Sequence, residues 1–248
     1  SALSAGPPAL PAAVAAGYIL SDYLLRINDR YLVLIHTLAA SLWVAVVLVE
    51  SSDLLLTHTG PLCGASTLAS ERALLGYMVG FFVYDLILCI KKGSTVAWYM
   101  HGGFSLVVYV TGYSFGWAQG YASRFTAYEW SSIFYLASQK HFINKDNSPT
   151  LYHATRVLFA VTFFIVRFLY GLPLSFVFQK RTFTNYHLDK CVRVEIQFVI
   201  VIVNTLFALL NLYWGYMIIA SILKKKDQSD GNEMGTENIT CNGSKKSN

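Results

Sequence analysis

The chain has 248 residues, of which 54% are hydrophobic and only 13% are charged. Soluble domains carry about a quarter charged residues, so this composition excludes an ordinary soluble domain. The net charge of +5 comes from short basic clusters beside apolar runs, a pattern typical of orientation signals in membrane proteins. These clusters do not indicate binding to nucleic acid, and no nucleic-acid partner is expected.

Apolar runs approaching the roughly 20 residues that cross a bilayer recur along the chain. The weakest of these runs, residues 9–27, is expected to form a short extra helix or an additional span. Residues 124–138 are less apolar and either span the membrane or lie buried among neighbouring helices. The clearest predicted spans are residues 31–49, 73–90, 96–117, 151–178 and 196–223. We therefore predict an all-α, polytopic transmembrane helical bundle of about six spans, or seven if the first run also crosses.

This pattern divides the chain into three parts. Residues 1–27 form an N-terminal segment, residues 28–223 form one membrane domain, and residues 224–248 are polar enough to predict a disordered tail. The cluster Lys224-Lys225-Lys226 directly after the last span places this tail in the cytosol, because basic loops stay on that side. Three other basic clusters agree with this orientation, and the basic loop of residues 180–193 does not.

The C-terminal sequence Lys245-Lys246-Ser247-Asn248 is similar to the dilysine retrieval signal of endoplasmic reticulum membrane proteins. We expect retrieval machinery as a partner at Lys245 and Lys246 and an endoplasmic reticulum location. The four cysteines, at positions 63, 89, 191 and 241, show neither a CxxC motif nor regular spacing. Their spacing predicts no disulfide framework and no metal site.

Ionisable and amide side chains occur inside several apolar runs, where an unpartnered polar group is costly and normally faces the bundle interior. Opposite buried charges at Glu129 and Arg167 predict an ion pair, and Asp85 is expected to pair with Lys91, Lys92 or a histidine. The full set is His36, Asp85, His101, Arg124, Glu129, Arg167, Glu195, Asn204 and Asn211.

His101 is the most informative of these residues because it lies in the stretch "WYMHGGF". Helical spacing places it on one face with Trp98, Ser105, Tyr109 and Gly112, and this polar face is expected to turn inward. The imidazole either acts as a base or bonds to a neighbouring helix. The glycines from 102 to 120 serve close helix packing or leave a slot for a lipid tail.

In order and spacing, these elements resemble those of the TLC-domain family, which includes ceramide synthases and translocating-chain-associated proteins. The likeness covers residues 28–223. Its elements are Asn28-Asp29-Arg30 with His36, Gly76-Tyr77 with Asp85, His101, Glu129-Trp130-Ser131-Ser132, Phe163-Phe164-Ile165-Val166-Arg167 with Pro173, and Leu210-Asn211-Leu212-Tyr213-Trp214.

The resemblance implies a helical bundle that handles lipids, and in ceramide synthases it implies acyl transfer from acyl-CoA at two adjacent histidines. Here position 102 is glycine where the second histidine would stand, and Ile133 replaces a usual proline. A single histidine cannot serve as both nucleophile and acid/base partner. We therefore favour a lipid-homeostasis protein over an enzyme.

Two other functions stay open. One is an acyl-CoA-dependent N-acyltransferase in which His101 is the base, Ser105 or Tyr109 orients it, and Asp85 or Glu129 tunes it. The other is a transporter or channel, although the sequence shows no inverted repeats.

The sequence predicts membrane lipids as partners, no metal site and no cofactor, with acyl-CoA as a co-substrate if the protein is an enzyme. Candidate catalytic residues are His101, Asp85 and Glu129, and candidate lipid-binding residues are His101, Ser105, Tyr109, Gly112, Arg167 and His36.

Overall fold

The computed structural model describes residues 9–23, 29–51, 62–64, 69–140 and 142–228, with side chains through residue 223. Within these ranges every regular element is a helix, which confirms the all-α fold. Of the predicted disordered tail, residues 224–228 are helical, and residues 229–248, which include the predicted retrieval signal at Lys245 and Lys246, lie outside the described ranges.

The elements follow the apolar runs closely. A 3₁₀ turn at Thr126–Tyr128 joins α5 to α6, and a π-helical turn at Phe164–Tyr170 joins α7 to α8. The helices are α1 (Ala9–Tyr23), α2 (Asp29–Glu50), α3 (Ala69–Lys92), α4 (Val96–Phe115), α5 (Gln119–Phe125), α6 (Glu129–Ala137), α7 (Pro149–Phe163), α8 (Gly171–Asn185) and α9 (Val194–Gln228).

Four segments of the described chain are long and apolar enough to cross a membrane: Asp29–Glu50, Ala69–Lys92, Pro149–Asn185 and Val194–Leu223. The last of them ends at Leu223, where the predicted span ends, and α9 continues as a helix to Gln228. The first run does form a helix, α1, whose 15 residues measure about 22 Å. It packs so closely on α3 that a side chain at Gly80 would meet Val14 at 2.5 Å.

One end of the bundle is defined by Asp29, Lys92 and Phe142, and we call it the Lys92 end. Lys92 forms an ion pair with Asp29 at the start of α2, and Lys91 pairs with Asp22 at 3.3 Å. Tyr31 packs edge-on against Phe142, with 5.2 Å between ring centroids. The start of α2, the end of α3 and the segment after α6 therefore meet here. Both lysines therefore have partners at this end, and the pairing of Asp85 with a lysine or a histidine stays a prediction.

The opposite end carries a disulfide between Cys63 and Cys191, and we call it the disulfide end. The prediction of no disulfide was wrong. The two cysteines are separated by 128 residues, so no local spacing pattern marks them. The bond joins the segment between α2 and α3 to the segment between α8 and α9.

The carboxylate of Asp189 holds the same end together. It accepts hydrogen bonds from the backbone N–H of Leu62 at 2.6 Å and from that of Cys63 at 3.1 Å. It also accepts one from the indole N–H of Trp117 at 3.1 Å. Trp117 follows α4, so α4 runs from the Lys92 end to the disulfide end. Because Asp189 lies between α8 and α9, those helices also meet at this end.

A buried ion pair stabilises the bundle between α3 and α5. Arg124 donates to Glu71 at 2.8 Å, and the two side chains are only 1% and 2% exposed. Arg124 also donates to the carbonyl of Gly120 at 2.9 Å and to the hydroxyl of Ser51. The sequence marked Arg124 as a buried candidate but missed Glu71, which lies just before the predicted start of the second span at residue 73.

Replacing Glu71 with Gln should lower the free energy of unfolding by about 3–5 kcal/mol, because breaking a buried pair leaves an uncompensated charge. Glu195→Gln is the matched control, since Glu195 pairs with Arg193 at 3.0 Å with both side chains more than half exposed. Its expected effect on the free energy of unfolding is much smaller, because solvent screens an exposed pair. Unfolding of the purified protein in mild detergent measures both, and equal losses would contradict a structural role for the buried pair.

Candidate functional site

A cavity lies in the bundle between α3, α4, α5, α6, α8 and α9. It encloses about 50 Å³ of free space. Its polar lining residues are His101, Ser105, Tyr109, Thr111, Glu129 and Asn204, and its aromatic ones are Phe82, Trp117, Tyr121, Phe125, Tyr128, Phe178 and Phe207.

The cavity is narrow and elongated. From His101 to Thr111 it follows α4 for about 15 Å at 1.5 Å per residue, and it continues to Trp117 beyond the end of that helix. On α4 its polar lining residues run from His101, nearest the Lys92 end, to Thr111, and Trp117, Tyr121 and Phe178 line it toward the disulfide end.

Aromatic rings surround His101 on several sides. Its ring contacts Phe82, Phe207 and Trp214 edge-on, with centroid distances of 5.9, 5.8 and 5.6 Å. Among the described residues, the Nδ1 atom is buried and has no hydrogen-bond partner. Because the ring also lines the cavity, the imidazole is a group that a bound molecule could meet.

The predicted polar face of α4 does turn inward. Ser105 and Tyr109 are 4% and 6% exposed, and both line the cavity. The hydroxyl of Tyr109 shares a hydrogen bond of 3.0 Å with that of Thr126. Gly112 is buried as well, but a side chain there would meet Leu75 at 2.6 Å. Gly112 therefore serves helix packing and lies outside the cavity lining.

Glu129 reaches the cavity from the first turn of α6. Its carboxylate accepts a long hydrogen bond of 3.5 Å from the hydroxyl of Thr37 on α2 and another from the side chain of Ser132. Both donors are neutral, so the carboxylate is held by hydrogen bonds. The sequence did not single out Thr37, although its position directly after His36 places it at the inner face of α2.

Arg167 lies behind the cavity wall and is buried. Its guanidinium donates to the side chain of Asn211 on α9 at 2.7 Å and to Ser131 on α6 at 3.4 Å. These hydrogen bonds go to neutral partners and not to Glu129, with which the sequence predicted an ion pair. Although the two charges still attract each other, the geometry fixes Arg167 through amide and hydroxyl oxygens.

Three aromatic rings complete the surroundings of Arg167. Its guanidinium carbon lies 4.9 Å from the ring centroid of Tyr128, 5.1 Å from that of Phe163 and 5.5 Å from that of Trp214. Arginine is attracted to ring faces at such distances. Arg167 belongs to the π-helical turn, and turns of this kind often occur at functional sites.

The segments that resemble the TLC family in sequence thus converge in space. Three such segments supply Ser131, Arg167, and Asn211 with Trp214, and these four side chains meet. We call this cluster the Arg167 centre. The sequence missed Phe207 as a wall residue. Its spacing from Asn204, Asn211 and Trp214 follows one face of α9, and that periodicity was the available signal.

Asp85 and His36 lie apart from the cavity lining. A side chain at Gly102 would meet the Oδ2 atom of Asp85 at 3.2 Å, so the carboxylate rests against α4 where a second histidine would stand. His36 shares a hydrogen bond of 3.2 Å with the hydroxyl of Tyr77, which in turn bonds to Tyr18 at 2.6 Å. Among the candidate residues, the cavity therefore brings together His101, Ser105, Tyr109 and Glu129.

The described residues contain no group of three His, Cys, Asp or Glu side chains that could hold a metal ion. What the cavity offers chemically is one imidazole and one carboxylate in a mainly aromatic wall. Such a wall suits an alkyl chain with a small polar group, and the imidazole could accept a proton from that group.

Comparison with known proteins agrees with the convergence of these segments. Searches of the curated proteins and of the solved structures each found no match. The family model TRAM_LAG1_CLN8, described as the TLC domain, matches residues 26–220, which is well over half of the chain. The chain therefore belongs to the TLC-domain family of membrane proteins.

Proposed function

We propose that this membrane protein binds a single-chain lipid or one acyl chain inside its bundle and acts in lipid homeostasis. The observation that carries the proposal is the narrow cavity of about 50 Å³ whose wall includes His101, Ser105, Tyr109 and Glu129. An ionisable residue within a membrane bundle is expensive and commonly marks a functional site. TLC-domain membership supports a link to lipid metabolism.

The shape of the cavity favours one alkyl chain over a bulky two-chain lipid. Its length along α4 is about 15 Å, which is half the hydrocarbon thickness of a bilayer, about 30 Å. The polar group of the ligand would lie near His101 and Glu129, and the chain would point toward Trp117. The order of the sequence elements also resembles that of TLC domain-containing protein 4, and membership of that subgroup is part of the proposal.

The proposal includes six spans with the C-terminus in the cytosol of the endoplasmic reticulum. In addition to the four apolar segments, α4 connects the two ends of the bundle, and α5–α6 must return to the Lys92 end before α7. The disulfide supports the orientation, because such bonds form in oxidising compartments. α9 then carries the tail to the opposite, cytosolic side, where Lys245 and Lys246 could meet retrieval machinery.

An epitope tag placed after residue 230 should therefore be reached by antibody when only the plasma membrane is permeabilised. The disulfide should protect Cys63 and Cys191 from alkylation in the same cells until a reductant is added. A tag detected only after the internal membranes are opened would overturn the orientation.

Photoreactive hexadecanol, a single-chain fatty alcohol, should label the purified protein within the cavity. Ser105→Phe should reduce this labelling by about tenfold or more, because a phenyl ring fills the slot and overpacking costs about 1–3 kcal/mol. Ser221→Phe is the matched control, since Ser221 is exposed near the end of α9. Mass spectrometry of the labelled peptides measures both, and equal labelling of the two variants would contradict a binding role for the cavity.

An acyl-CoA-dependent N-acyltransferase is the second candidate, because His101 and Glu129 line one cavity. In this reaction His101 would accept the proton of a lipid amine as its nitrogen attacks the thioester carbon, and the coenzyme A thiolate would leave. Purified protein given palmitoyl-CoA and a sphingoid amine would then form an amide, and His101→Ala would not. Absence of the amide with the wild-type protein would exclude this activity.

A further inference from the structure

The cavity ends at Trp117, and this end is unusually well fixed. Trp117 and its neighbour Ala118 both line the cavity, and Trp117 is only 1% exposed. Its ring packs against Phe178 on α8, with 5.8 Å between centroids. Leu62, which is fully buried, accepts a hydrogen bond from the N–H of Ala118 at 3.2 Å. The segment of residues 62–64 therefore lies against the end wall of the cavity.

A single buried carboxylate joins these parts. Asp189 is 3% exposed and accepts hydrogen bonds from Leu62, Cys63 and the indole of Trp117. Its own backbone carbonyl accepts a hydrogen bond of 2.9 Å from Gln197 on α9. Two residues further along the chain, Cys191 is covalently bonded to Cys63. Asp189 and the disulfide thus both connect residues 62–64, which lie against the end wall, to the segment between α8 and α9.

We propose that Asp189 is a positioning residue which, together with the Cys63–Cys191 disulfide, holds Trp117 as a closed end of the cavity. A ligand then enters and leaves through the half of the bundle that contains His101. This inference rests on the proposed function, since it concerns the access route of the lipid in that same cavity.

The geometry distinguishes this role from general support of the fold. Of the three groups that donate to Asp189, only the Trp117 indole belongs to a residue that lines the cavity. Loss of the carboxylate therefore removes the hydrogen bond that holds this part of the cavity wall. The disulfide acts on the same wall through Leu62, one residue from Cys63. His101 and Trp98, by contrast, are half-buried near the Lys92 end, where no such covalent tie crosses the described residues.

The experiment measures how fast photoreactive hexadecanol leaves the full-length protein in lipid nanodiscs. Loaded protein is chased with unlabelled hexadecanol, and samples are irradiated at intervals. The measurement is repeated after reduction with tris(2-carboxyethyl)phosphine. The phosphine breaks the sulfur–sulfur bond and becomes the phosphine oxide with the oxygen of water, and each cysteine gains one proton.

Reduction should accelerate release about tenfold or more, in line with the stabilisation a disulfide gives to a long loop. Asp189→Asn should accelerate release with the disulfide intact, whereas Asp146→Asn, at an exposed carboxylate, should not. Cys89→Ser should respond to reduction like the wild type, because Cys89 lies outside the disulfide. Labelled peptides should shift from residues 101–121 toward residues 62–64 as the end opens.

Trp117→Ala separates opening of this end from general unfolding, because it removes the indole and leaves the disulfide in place. It should release hexadecanol faster while the helical content stays that of the wild type. The inference is overturned if the reduced wild type, Asp189→Asn and Trp117→Ala all release hexadecanol at the rate of the oxidised wild type. That outcome would leave lipid binding itself intact. Failure of the wild-type protein to capture hexadecanol would instead remove the proposed function, and this inference with it.

Discussion

The absence of water around the helices is the constraint on which the rest of the structure depends. In hydrocarbon, each polar side chain must find its partners within the protein. Arg167 shows the result, because its guanidinium contacts an amide, a hydroxyl and three aromatic rings from α6, α7, α9 and the 3₁₀ turn before α6. The π-helical turn presents the side chain at this meeting point. The position of one cation therefore sets how three segments pack.

The Arg167 centre also determines what kind of site the bundle can hold. Trp214 contacts both Arg167 and His101, so the imidazole and the guanidinium share one aromatic wall. With Arg167 already satisfied by Asn211 and Ser131, the groups left to meet a ligand are the imidazole, the Glu129 carboxylate and hydroxyls. A cavity with these groups is better suited to a chain with a small polar group than to a large charged headgroup.

Much of this architecture was readable from the sequence, because apolar length and helical periodicity are local properties. They indicated the helices and the inward face of Ser105 and Tyr109, and the order of the motifs carried the resemblance to the TLC family. The features that were missed depend on contacts across long stretches of chain. The Cys63–Cys191 bond, the partners of Asp189 and the Arg124–Glu71 pair join residues at least 53 positions apart. No pattern within one segment marks them, and the neutral partners of Arg167 were missed because charge alone suggested Glu129.

The sequence separation of the two cysteines has a consequence for biosynthesis. Cys63 is translated 128 residues before Cys191, so in the proposed orientation it enters the lumen with its partner still unmade. Every helix from α3 to α8 must be synthesised before the bond can form. A correctly placed disulfide therefore forms late in insertion and indicates that the chain from α3 to α8 has been made.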